Sequence, residues 1–169
     1  MGRAVGPALA SRKGAVPPRP RAAQPCDAAA LEALDAAVNP SPWGRRRFDT
    51  ALDGERGLDE EVLVLEERGQ LVGYIVFARV LDECSIYNVG VSGLCRRRGF
   101  GACLVDEALA RLRERGCRRC LLEVRVSNRA ARELYASRGF RPDGVRKNYY
   151  PGADGREDAL LMSRELRNE

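Results

Sequence analysis

The chain has no histidine anywhere in its 169 residues. That removes the commonest general base and the commonest metal ligand, so proton transfer in any active site falls to carboxylates. No apolar run approaches the ~20 residues that a membrane-spanning helix needs. Residues 1–26, "MGRAVGPALASRKGAVPPRPRAAQPC", contain no acidic residue and no continuous apolar stretch of the secretory kind. They hold Arg3, Arg12, Lys13, Arg19 and Arg21. The remaining 24 basic residues face 24 acidic ones, so the net charge of +5 belongs entirely to this segment. A nucleic-acid binder carries its basic excess on the folded surface, which makes DNA a poor expectation. The segment itself reads as a disordered basic tail, its prolines fitting an amphipathic organellar presequence badly. Residues 27–169 then read as a single domain, expected to be monomeric. With no secretory signal, the six cysteines are expected to be free thiols in a reducing, cytoplasmic setting.

Only one Cys-x-x-Cys pair exists, "CRRC" at 117–120. A zinc site there would require Cys84, Cys95 or Cys103 to converge on it. The alternative is that Cys120 opens a buried strand while Cys117 sits in the preceding turn, and no metal is expected.

What is present alternates cleanly between two periods. "DAAALEALDAAV" (27–38) has a helical pattern behind a possible Asp27 cap, and a Pro-bounded turn leads to a second short helix. "EVLVLEE" and "QLVGYIVFARVLD" read as strands joined by a hairpin at "RGQ", and "CSIYNVGV" (84–91) as a third strand, with Gly90 hinting at a bulge or a close approach. Leu104, Val105, Ala108, Leu109 and Leu112 form one helical face closed by Gly116. "CLLEVRV" (120–126) is a strand, "NRAARELYASRG" a helix capped by Asn128 and ended by Gly139, and two closing strands follow. The expected class is α+β around one mixed, mostly antiparallel sheet flanked by helices.

Between the third strand and the next helix lies "LCRRRGFGACLV" (94–105). A Walker A loop would need Lys-Ser or Lys-Thr after its last glycine, where Ala102 and Cys103 stand. A dinucleotide fingerprint would need a third glycine at Leu104. What remains is R-x-x-G-x-G opening a helix: Gly99 and Gly101 permit close backbone approach, the helix start offers unpaired N–H groups, and Arg96, Arg97 and Arg98 add charge. A diphosphate fits such a loop; a basic helix start with packing glycines is the plainer reading.

This loop resembles the pyrophosphate-cradling motif of the GNAT acetyltransferases. "PW" at 42–43, "NVGV" at 88–91, "LEVRVSN" at 122–128, "LYASRGF" at 134–140 and "NYYPGADGREDALLM" at 148–162 extend the resemblance, in order, to the bacterial ribosomal-protein alanine N-acetyltransferases. It implies a GNAT fold, acetyl-CoA as co-substrate, and the N-terminal alanine of ribosomal small-subunit protein 18 as acceptor. It departs at "PRPRAAQPC", a poor match to the family's first strand because proline cannot donate to a ladder.

An α-amine titrates near pH 8 and must lose a proton before it attacks. Glu123 lies in an otherwise apolar strand, where burial without a partner would suit it to general-base work; a Glu123–Arg125 ion pair is the alternative. The resemblance makes Glu123 the base and Tyr135 the general acid, although Tyr135 alone could be a core aromatic. A normal tyrosine is a weaker acid than a thiol, which favours hydrogen bonding to the departing sulfur over complete proton transfer. The resemblance also places acetyl-CoA against Val89, Gly90, Val91, Arg97–Ala102 (with Phe100) and Asn128, the last being equally a helix cap. Backbone N–H groups at Val89–Val91, freed by a bulge near Gly90, would polarise the thioester carbonyl. The resemblance further implies that Trp43 and the loop after Asn148 flank the acceptor groove, with Tyr149, Tyr150, Glu157 and Asp158 as candidates to line it; packing of the closing hairpin is the alternative for these four. The alternatives are a related acetyltransferase acting on other N-termini or small amines, and a non-catalytic RNA- or ribosome-binding module whose binding would weaken steeply with salt.

Overall fold

The computed structural model describes residues 18–53, 59–152 and 155–166. In chain order the elements are β1 (Arg21–Ala22), α1 (Ala28–Val38), α2 (Arg45–Asp53), β2 (Asp59–Glu67), β3 (Gln70–Val80), β4 (Glu83–Val91), α3 (Phe100–Glu114), β5 (Arg119–Arg125), α4 (Arg129–Ser137), β6 (Arg141–Gly152) and β7 (Gly155–Glu165). The hairpin expected at "RGQ" forms because Arg68 and Gly69 both take positive φ, 54° and 75°, the twist that a two-residue turn between antiparallel strands requires. Among the described residues seven strands make one sheet in the order β1-β2-β3-β4-β5-β7-β6, and only β4 and β5 run parallel.

β3 is buried on both faces, which is why its sequence is a continuous apolar run rather than an alternating one. Ile75 and Phe77 pack with Leu104, Val105, Leu109 and Leu112 of α3, while Tyr74 and Val76 pack with Leu31, Leu34 and Phe48 of α1 and α2. The sheet therefore lies between two helical layers. Cys84, Cys117 and Cys120 are buried in the α3 side of this core, Cys120 within β5 and Cys117 in the turn before it. Burial pushes the Cys117 thiol up to about 11. Among the described residues no three His, Cys, Asp or Glu side chains converge as a metal cluster, and no helix is long and apolar enough to cross a membrane.

Two expectations need correction. Residues 1–17 of the expected tail lie outside the described residues, but residues 18–26 are part of the fold. Arg21 and Ala22 pair with Val64 and Leu63, and the Arg21 guanidinium bonds Asp27 at 2.8 Å and Glu66 at 3.0 Å. Proline excludes a long strand there, yet two non-proline residues suffice at a sheet edge, and an ion pair ties them down. The bulge, second, lies at Tyr87 and not near Gly90: Val76 opposes Asn88 while Phe77 opposes Ile86, and Gly90 keeps its place in the ladder opposite Tyr74. Glycine is required at 90 because a Cβ there would lie 2.3 Å from the Tyr74 ring.

Candidate active site

The parallel ladder between β4 and β5 stops at Ile86↔Leu122. Beyond it β5 stays paired with β7 as far as Arg125, while the facing edge of β4, from Tyr87 to Val91, has no strand across from it among the described residues. The gap opens into two adjoining cavities. The larger, about 790 Å³, is lined by Val89–Val91, by Arg96, Arg97 and Gly99–Ala102, and by α4 from Asn128 to Ser137. The smaller, about 170 Å³, is lined by Asn39–Ser41, Trp43, Tyr87–Val89, Glu123–Arg125 and Tyr150. Val89, Arg125, Asn128 and Tyr135 border both and mark where they meet.

The floor of the larger cavity is the start of α3. Cys103 N–H is the first to bond within the helix, to Gly99 C=O at 2.9 Å, which leaves the N–H groups of Phe100, Gly101 and Ala102 without helical acceptors. Gly99 is left-handed, φ 81°, and turns the chain into the helix. Gly101 serves packing: a Cβ there would come 3.1 Å from Leu134 of α4. Three free donors at the positive end of a 15-residue helix, with Arg96 and Arg97 alongside, suit a phosphorylated ligand. Arg98 does not join them. Its guanidinium is turned onto Glu67, at 2.6 and 3.0 Å, and over the Phe100 ring. Neither cavity includes it.

In the smaller cavity Glu123 is half-buried, its side chain 28% exposed, and Arg146 lies 3.0 Å from its carboxylate. The expected condition of burial without a partner is therefore not met, and the partner is Arg146 rather than Arg125. Arg125 instead bonds Glu157 at 3.2 Å and Ser41 Oγ at 2.8 Å and stacks on the Tyr150 ring. Tyr149 packs edge-on against Tyr150, and the Glu123 carboxylate holds its phenol above the ordinary value. Tyr135 is buried, and desolvation pushes its phenol above the ordinary value as well. Asn128 caps α4, accepting from Ala131 N–H at 3.1 Å, while also bordering both cavities.

Residues 28–140 match the acetyltransferase (GNAT) family. The chain belongs to the GNAT acetyltransferase family. Over 122 residues, 72% of this chain and 80% of the relative, it is 38% identical to the ribosomal protein bS18-alanine N-acetyltransferase of Escherichia coli K12. It is 36% identical over 141 residues, 82% of this chain and 92% of the relative, to the enzyme of that name from Haemophilus influenzae. The crystal structure of the ribosomal-protein-S18-alanine N-acetyltransferase from Escherichia coli matches with a TM-score of 0.80 at 31% identity, over 89% of this chain and 94% of that one. The GNAT fold expected from the sequence is the one found, and this GNAT chain is an acyltransferase of a family that uses acetyl-CoA. The free N–H groups at the start of α3 fit that co-substrate's diphosphate, and the larger cavity leads from them to Tyr135.

Most of the residues singled out in this GNAT chain's sequence come together in the two cavities. Arg98, Glu157 and Asp158 do not line them. Glu157 accepts from Ser127 N–H at 2.7 Å in the turn before α4, and Asp158 from Asn148 N–H at 2.8 Å within β6. Tyr149 lines neither cavity, but its phenol bonds the Glu123 carboxylate beside Tyr150. Sequence reasoning missed Asp35, Asn88, Ser41 and Arg146. Asp35 left a signal: it stands four residues after Leu31, on the apolar face of α1.

Proposed function

We propose that this chain acetylates the N-terminal alanine of ribosomal protein bS18, with Glu123 as general base and Tyr135 as donor to the leaving sulfur. The observation that supports the reading is that Glu123 and Tyr135 both line the smaller cavity, which Tyr135 also borders on the side of the larger one, at a gap in a sheet shared with enzymes named for that reaction. Acetyl-CoA supplies a thioester that an amine attacks directly. Arg96, Arg97 and the free N–H groups of Phe100–Ala102 would hold its diphosphate, and the unpaired edge of β4 at Val89–Val91 would donate to its carbonyl oxygen. Glu123 accepts the ammonium proton of the acceptor at the floor of the smaller cavity. Arg146 beside it holds the carboxylate in place. Tyr135, its phenol pushed above the ordinary value, keeps its proton and contributes a hydrogen bond rather than a complete transfer. A cavity of about 170 Å³, walled by Trp43 and Tyr150, favours a small first side chain.

The reading extends to a monomeric cytoplasmic enzyme in which the chain from Pro18 onward forms one catalytic domain. A thiol-release assay tests it, comparing a bS18 N-terminal peptide beginning with alanine, the same peptide with its α-amine blocked, and a set of small amines. Turnover on the free alanine terminus supports the proposal. Turnover on small amines alone would move the acceptor to another class.

A further inference from the structure

One carboxylate is shut away from solvent behind the acceptor cavity. Asp35, near the C-terminal end of α1, is 0% exposed and is the one buried charged residue among those described. A buried carboxylate is costly unless donors satisfy it, and here four do so from three directions. Tyr74 Oη donates from β3, Asn88 Nδ2 from β4 at 3.2 Å, and Asn39 Nδ2 at 3.0 Å and Trp43 N–H at 2.6 Å from the segment joining α1 to α2. Desolvation, with Asp35 beside it, pushes the Tyr74 phenol up, so that hydroxyl remains a donor.

These partners sit in a telling order. Asn39, Trp43 and Asn88 border the smaller cavity and not the larger one, Pro40 borders both, and Tyr74 borders neither. Asn39 passes the constraint on, accepting from Ser41 N–H at 3.0 Å, and Ser41 Oγ accepts from Arg125 at the junction of the cavities. We infer that Asp35 is a positioning residue that fixes the wall of the acceptor cavity, holding the Asn39–Trp43 segment and Asn88 in register with Glu123. The inference rests on the proposed acceptor site for its kinetic consequence, but its structural consequence is readable without any acceptor.

Trp43 is the only tryptophan in the chain and donates one of the four hydrogen bonds from its backbone N–H, so its fluorescence reports the wall directly. Asp35→Asn keeps the shape and places an N–H₂ against donors. The result expected is red-shifted Trp43 emission and a larger acrylamide quenching constant in the ligand-free protein. With whichever amine the wild type accepts, the acceptor KM should rise about tenfold, while the acetyl-CoA KM stays within about twofold. A residue that merely held the fold together would lower the active fraction and leave both KM values alone. If Asp35→Asn does not fold, Tyr74→Phe removes one donor while keeping the ring under Gly90, and should raise the acceptor KM about threefold. Unchanged Trp43 quenching, or an acetyl-CoA KM that moves as far as the acceptor KM, would overturn the inference. Loss of all peptide turnover in the wild type would count against the proposed substrate and leave the fluorescence result to stand.

Discussion

Gly90→Ala tests the packing that joins the core to the site. The added Cβ would lie 2.3 Å from Tyr74 Cε1, 2.8 Å from Cζ and 3.0 Å from the hydroxyl. Two of these are ring atoms and the third is the hydroxyl on that rigid ring, not the tip of a flexible chain. Tyr74 is fully buried, its hydroxyl held by Asp35 and its ring set edge-on against Phe48, so turning the ring aside would break that hydrogen bond and that packing. Relief has to come from β3 and β4 moving apart. Overpacking of this kind costs ~1–3 kcal/mol, and the three short contacts put Gly90→Ala at the upper end. For a chain of this size each kcal/mol lowers Tm by about 2–4 °C, so the expected drop is roughly 6–12 °C. Thermal unfolding followed by circular dichroism measures it. Combining Gly90→Ala with Tyr74→Leu should cost less than the two single changes together by at least ~1 kcal/mol, because the leucine leaves the space that the methyl needs. A Gly90→Ala protein within about 0.5 kcal/mol of wild type would show that Tyr74 is free to move and refute the argument.

Further outcomes follow from the charges. Glu123→Gln should retain acetyl-CoA binding and lower kcat by ~10²-fold or more, most at low pH where the amine is protonated; equal rates across pH would remove Glu123 from its role. Arg97→Ala should raise the acetyl-CoA KM several-fold, whereas Arg98→Ala should leave it within about twofold, because Arg98 is committed to Glu67; steady-state kinetics separates them. Three carboxylates sit below their ordinary range: Asp27 and Glu67 are held there by Arg21 and Arg98, and Glu157 by Ser127 with help from Arg125. The unfolded chain therefore binds more protons than the folded one in acid. Their stabilisation is fully present above the unfolded carboxylate range, near pH 4, and is lost as pH falls through the lowered folded values, which a series of melts from pH 7 to 3 would record.

The element order was legible because apolar residues in this chain follow either a helical or a strand period with few exceptions. Gly69, Gly116 and Gly139 end elements as turn chemistry requires, each with positive φ. What the sequence could not reveal depends on partners distant in the chain. Arg98 looked equivalent to Arg96 and Arg97 until Glu67, 31 residues earlier, claimed it. The sequence offered Glu123 either no partner or its neighbour Arg125, because the partner it has, Arg146, comes from β6 at the sheet edge. The bulge fell at Tyr87, since a glycine serves close approach as readily as it serves a bulge, and only Tyr74 decides between them. Asp35 was legible in principle, as a charge on an apolar helix face, and Asn39 and Trp43 follow it closely in the chain, but Tyr74 and Asn88 lie on strands that only the fold brings to it.

The most direct test of the proposed activity is to incubate purified, unacetylated bS18 with this chain and acetyl-CoA and to map the product by mass spectrometry. The account predicts a single acetyl group on the N-terminal alanine, absent when Glu123→Gln replaces the wild type at low pH. Acetylation confined to lysine side chains, or none while acetyl-CoA still binds, would contradict it.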